Sequence, residues 1–172
     1  MSKILSIDPG MSTGLVRATV EDDAPPTIAW KEQIEGGLNG LIEFSLWDYV
    51  SDMDRVVCEK FHPRQMARSY RMDELEPLRI EGYVLSANHV TLFRQPEQRH
   101  LFKESDAFEK SAAFLKWAGY WSTGSEFGYK DANDANSAMM HLFSYLRSMK
   151  HRPTIRLLLD YNRSIAMEEG NE

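Results

Sequence analysis

Four acidic residues carry the chemical interest of this 172-residue chain: Asp8, Glu59, Asp131 and Asp134. Asp8 follows the apolar run Ile4, Leu5, Ile7 and precedes Pro9, Gly10 and Gly14, so it reads as the last residue of a buried strand running into a tight turn. A carboxylate on such rigid backbone can hold a metal ion or orient a phosphate. The simpler role is opening the turn with its own side chain. Glu59 likewise ends the run Val56, Val57, Cys58. Asp131 and Asp134 fall three apart at the start of a helical pattern, on one face of its first turn. There they suit either metal ligation or capping of exposed amides. Four acids brought into one cleft would repel each other, and a hard divalent cation such as Mg²⁺ or Mn²⁺ offsets that with oxygen ligands.

The surrounding pattern is an α/β one. Ile4–Ile7, Leu15–Val20 and Thr27–Ile34 read as three successive strands, an antiparallel meander. A helix over 41–50 leads to a fourth strand at 55–59. A helix follows over 74–87, with Pro77 confined to its first turn. Beyond lie a strand at 90–93, a short helix from Pro96 to Leu101 and a helix over 106–117 capped by Ser105. A turn-rich stretch over 119–128 precedes a long helix over 131–149. The apolar segment 154–161 reads equally as a terminal strand or a short helix. The expected organisation is one domain over 1–166, with a flexible tail at 167–172.

Composition narrows the function classes. The net charge of −6 argues against a protein that coats nucleic acid broadly, yet charge is unevenly placed. Residues 55–71 hold Arg55, Lys60, Arg64, Arg68 and Arg71 against Glu59 alone, a net of +4 in a chain that is otherwise acidic. This basic edge beside an acid-bearing strand reads either as a phosphate-facing rim or as a solvated loop, with Lys130 a further candidate. The single Cys58 excludes an internal disulfide framework. No apolar run reaches the roughly 18 residues of a spanning helix, and the opening residues do not read as a signal peptide, so the expected location is the cytoplasm, with no membrane partner. His89, His100, His141 and His151 lack compact zinc-ligand spacing, and His62 stands alone in the basic loop. The aromatics Tyr120, Trp121 and Phe127 read as packing residues, with base stacking the alternative.

In order, ILSIDPGMSTGLV at 4–16, VVCEKF at 56–61 and KDANDA at 130–135 resemble the RuvC-type Holliday junction resolvases of the ribonuclease H-like superfamily, bacteriophage members among them. The resemblance implies a mixed β-sheet with an antiparallel first half, flanked by helices. It implies a site of Asp8, Glu59, Asp131 and Asp134 holding two Mg²⁺ ions, or Mn²⁺. It further implies a homodimer that cuts four-way junctions and other branched DNA, in the host cytoplasm if the chain is phage-encoded. Two other classes stay open. One is an actin-like or sugar-kinase-like phosphotransferase using the opening glycine turn, and the other a noncatalytic DNA-binding dimer whose acids only cap and pack.

Overall fold

In the computed structural model, which describes residues 1–61, 71, 73–86, 90–94, 107–128 and 133–169, five strands form one sheet. They are β1 (Ser2–Asp8), β2 (Ser12–Val20), β3 (Thr27–Glu35), β4 (Arg55–Lys60) and β5 (Val90–Arg94), in the order β3-β2-β1-β4-β5. The first three pair antiparallel, as the meander predicts, whereas β4 joins β1 in parallel and β5 joins β4 in parallel. This is the ribonuclease H-like arrangement: a mixed sheet, antiparallel in its first half, with helices on both faces.

Strand alternation assigns each residue its face. Leu5, Ile7, Leu15, Val56 and Cys58 turn to one side. There they bury against Leu41 of α1 (Gly37–Glu43), Leu46 and Val50 of α2 (Leu46–Val50), and Ile80 and Val84 of α3 (Glu76–Val84). Ile4, Val16, Ala18, Val20 and Val57 turn to the other. They meet Phe114 and Leu115 of α4 (Ala107–Trp117), Ala138, Met139, Leu142 and Phe143 of α5 (Asn133–Ser148), and Leu158 and Tyr161 of α6 (Arg152–Glu169). None of the described helices is long and apolar enough to cross a membrane.

Two expectations are corrected or sharpened. The helix expected over 41–50 is two short helices, because Ser45 adopts a left-handed backbone with φ of 58°. The break lets Leu41, Leu46 and Val50 all reach the sheet, while Phe44 and Tyr49 stack on Trp30 with ring centroids 5.7 and 5.2 Å away. The segment 154–161 is helical, and its helix runs on to Glu169, past the expected start of the tail at 167. Thr154, Leu158 and Tyr161 are buried and Ile165 packs beside them, so the inward stripe keeps the 3-4 spacing of a helix beyond the window that left the choice open. Gly82, within α3, faces open space, with nothing within 4 Å of where a Cβ would stand. The short helix at 96–101 and the Ser105 cap lie outside the described residues.

Pro77 sits in the first turn of α3, behind a 3₁₀ turn at Asp73–Leu75. Of the loop aromatics, Tyr120 packs on Phe143 at 5.2 Å and donates its hydroxyl to the Pro26 carbonyl, while Trp121 carries Lys116 over its ring.

Candidate metal centre

The turn after β1 is closed by the buried Thr13, whose hydroxyl donates to the Gly10 carbonyl at 2.9 Å. Asp8 is thereby left to face the site. It shares the inward parity of Ile4 and Ser6, and Glu59 shares that of Val57. Because Ile7 pairs with Cys58 across the parallel β1–β4 ladder, Asp8 and Glu59 end neighbouring strands on the same face, under α5.

α5 crosses that face at an angle fixed by three contacts. At its start the Asp134 carbonyl lies directly over Gly14 on β2, where any Cβ would overlap it. One turn later the buried Ser6 hydroxyl on β1 donates to the Ala138 carbonyl at 2.7 Å. At the next turn His141 reaches the acids on β1 and β4, its Nε2 lying 3.2 Å from Asp8 Oδ1 and 3.4 Å from Glu59 Oε2. The seven-residue rise from Asp134 to His141, about 10 Å, matches two strand spacings, so the helix passes over β2, β1 and β4 in turn. Gly14 therefore serves the close approach of a helix, which is a different use from cradling a nucleotide phosphate.

His141 is 1% exposed at its side chain, whereas Asp8 and Glu59 keep 16% and 14%. The imidazole is thus the floor of the site and the carboxylates its rim. Burial pushes the Asp8 carboxyl up to about 7, against the opposing pull of the hydrogen bond and charge of His141. For His141 burial acts downward, but the hydrogen bonds and charges of Asp8 and Glu59 outweigh it and hold the imidazole up at about 9. In the metal-free site a protonated imidazole between two carboxylates compensates buried charge that would otherwise be costly. Cys58, on the opposite face, is a buried thiol pushed well above its ordinary range by burial and by nearby Glu81, Asp8 and Glu59, which favours the protonated form over the thiolate.

Among the described residues, Asp8, Glu59 and His141 form one group able to hold a metal ion, with one donor atom from each lying within 4.8 Å of the others. Two carboxylates and an imidazole are a donor set suited to a divalent cation. Of the residues expected from the sequence, Asp8 and Glu59 meet here. Asp134 is half-buried one strand away, in the first turn of α5 against Gly14. Lys60 follows Glu59 and so takes the opposite parity on β4. Arg71 is exposed and pairs with Asp73 at 3.1 Å. Asp131, Arg64, Arg68, Lys130 and His62 lie outside the described residues.

His141 is the residue that the sequence reading passed over. It recurs seven positions after Asp134, two helical turns on and on the same face, in line with Ala138 and among residues that all pack inward. A histidine in that stripe must find a buried polar partner. A further supporting acid is Glu81 of α3, 8% exposed, whose Oε2 accepts the Phe61 N–H at 2.8 Å and ties down the chain two residues after Glu59. On the far side, Asn136 brackets Ser122, accepting its N–H at 3.0 Å and donating to its carbonyl at 3.3 Å, which anchors the loop before α5.

No known family's sequence profile matches the chain, and no curated protein matches it in sequence. Solved structures do match in fold. The RuvC of T. thermophilus, in complex with a Holliday junction substrate, superposes with a TM-score of 0.59 at 13% identity, covering 86% of this chain and 96% of that one. The fowlpox virus Holliday junction resolvase gives a TM-score of 0.53 at 15% identity over 86% of this chain and 99% of its own. Its complex with junction DNA gives 0.57 at 14% identity, over 84% and 99%. At such identities the likeness is one of fold: the chain has the ribonuclease H-like fold found in these resolvases, with a metal-competent group at the ends of its two central strands.

Proposed function

We propose that this protein is a divalent-metal-dependent, structure-specific DNA endonuclease that hydrolyses phosphodiester bonds in branched DNA, four-way junctions foremost. The observation that carries this reading is the meeting of Asp8, Glu59 and His141 at the carboxyl ends of two adjacent parallel strands, the usual place for a site in an open α/β sheet. In this reading Asp8 is the ligand shared by the ions, with Glu59, Asp131 and Asp134 completing their shells. Divalent ions, Mg²⁺ or Mn²⁺ and two per site, supply Lewis-acid charge to a scissile phosphate when bound. The protein's own contribution is positional. β1 and β4 hold Asp8 and Glu59 on rigid backbone, and the His141 imidazole beneath restrains both carboxylates. Lys60, Arg64, Arg68 and Arg71 set the flanking phosphates, in keeping with the +4 balance of residues 55–71, and Lys130 adds a further cation next to Asp131 in the chain. Two copies acting as a homodimer would cut two strands of one junction, and sedimentation at micromolar concentration should show that dimer.

The test is a substrate panel: four-way, three-way, flap, linear duplex and single-stranded DNA, each incubated with and without Mg²⁺ or Mn²⁺. Metal-dependent cutting of the branched substrates, fastest on the four-way junction, is expected. Equal rates on linear and branched DNA would remove structure specificity, and absence of any metal-dependent cutting would remove the nuclease itself. ATP turnover in its place would point to the phosphotransferase class.

A further inference from the structure

We infer that His141 is a direct nitrogen ligand of this site's metal and biases the site toward Mn²⁺ over Mg²⁺. The inference rests on the metal-dependent reading above and goes beyond it, since the four acids that carry the resemblance offer only oxygen.

The geometry carries it. Nε2 of His141 points between the two carboxylates, 3.2 Å from one oxygen and 3.4 Å from the other. Two donors each roughly 2.1 Å from a common ion, at tetrahedral or octahedral angles, stand roughly 3.0–3.4 Å apart. Both distances from the imidazole nitrogen therefore match the spacing of ligands on one small cation, and the two carboxylate donors lie within 4.8 Å of each other; ligation would release the Nε2 proton to solvent. Their supports are stiff. Asp8 and Glu59 end strands of the central ladder, and the Ser6 hydroxyl on the Ala138 carbonyl pins α5 one turn before His141. With its side chain 1% exposed against 16% and 14% for the two carboxylates, the imidazole would meet an ion held among them from the protein side.

The chemistry then sets the preference. Mg²⁺ demands octahedral oxygen coordination and keeps its waters, whereas imidazole nitrogen favours first-row transition ions. Two carboxylates with one imidazole suit Mn²⁺, which accepts both donor types. The competing arrangement leaves the imidazole protonated as a hydrogen-bond donor to carboxylates that alone touch the ion. In that case the site would discriminate weakly between the two metals.

Pulsed electron paramagnetic resonance on the full-length, metal-stripped protein loaded with one equivalent of Mn²⁺ separates these arrangements. Protein grown with ¹⁴N-histidine is compared with protein grown with ¹⁵N-histidine, an exchange that leaves the fold untouched. A directly coupled nitrogen whose pattern changes with the isotope, and which disappears in His141→Asn, is expected. Competition binding should show Mn²⁺ preferred over Mg²⁺, with the affinity ratio falling at least about tenfold in the variant. Stoichiometric Mn²⁺ binding without nitrogen coupling in the wild type would overturn the inference while leaving the metal-dependent reading intact. Coupling that persists in His141→Asn would overturn it as well, by assigning the nitrogen to another histidine. Failure of the wild type to bind Mn²⁺ at all would overturn both.

Discussion

His141 and Asp8 lie 133 residues apart in the chain, yet the imidazole Nε2 of the first stands 3.2 Å from a carboxylate oxygen of the second, and this contact is where α5 locks onto the central strand of the sheet. It joins a mid-helix residue to a strand end, and so couples the packing of the fold to the charge state of the site.

That coupling makes the stability of the metal-free protein depend on pH. The Asp8 carboxyl is raised from 3.8 to about 7, so its contribution is full below the unfolded value and is lost as pH rises through 7. His141 is raised from 6.5 to about 9, so its contribution is full below 6.5 and is lost as pH climbs through 9. Both groups bind their protons more tightly when folded, and both effects have the same sign. Denaturant midpoints measured in a chelator from pH about 6 to about 9 should therefore fall. A flat or rising profile would show that the pair is not held as described.

Gly14 should tolerate no side chain. A Cβ there would overlap the Asp134 carbonyl and push the start of α5 off the sheet. Gly14→Ala is expected to cost about 1–3 kcal/mol or more, the range of overpacked cores. Gly82→Ala meets only open space within α3 and should stabilise by up to about 1 kcal/mol. Equal effects from the two substitutions in urea unfolding would contradict the close approach of α5.

How much of this was legible in the sequence depended on the range of the signal. β1 to β4 followed from short apolar alternations bounded by turns, since a strand's faces are written in a period of two. Asp8 and Glu59 emerged because each closes such a run. The break at Ser45 was not legible, because a serine rarely adopts positive φ and only the fit of Phe44 and Tyr49 over Trp30 explains it. The terminal segment stayed open between strand and helix because Leu157, Leu158 and Leu159 are contiguous and mask the spacing of Thr154, Leu158, Tyr161 and Ile165. His141 was hidden for a different reason. Its partners lie on two strands far back in the chain, and local spacing among histidines, the pattern that marks zinc sites, says nothing about contacts across a sheet.

The basic edge after β4 should govern DNA affinity. Neutralising Arg64, Arg68 and Arg71 together removes up to three phosphate contacts. The slope of log K against log salt on duplex-armed junctions should then become shallower by roughly 2–3. Binding with an unchanged slope would assign those arginines to solvent.

The most direct test of the central claim is cleavage of a four-way junction by Asp8→Asn, with junction binding measured on the same preparation. Asparagine keeps the side-chain volume and a group able to hydrogen-bond His141, but removes the charge proposed to bridge the ions. The account predicts a folded variant that binds the junction as tightly as the wild type and cuts at least about a hundredfold more slowly in Mg²⁺ and Mn²⁺. Undiminished cleavage by verified, folded Asp8→Asn protein would contradict it.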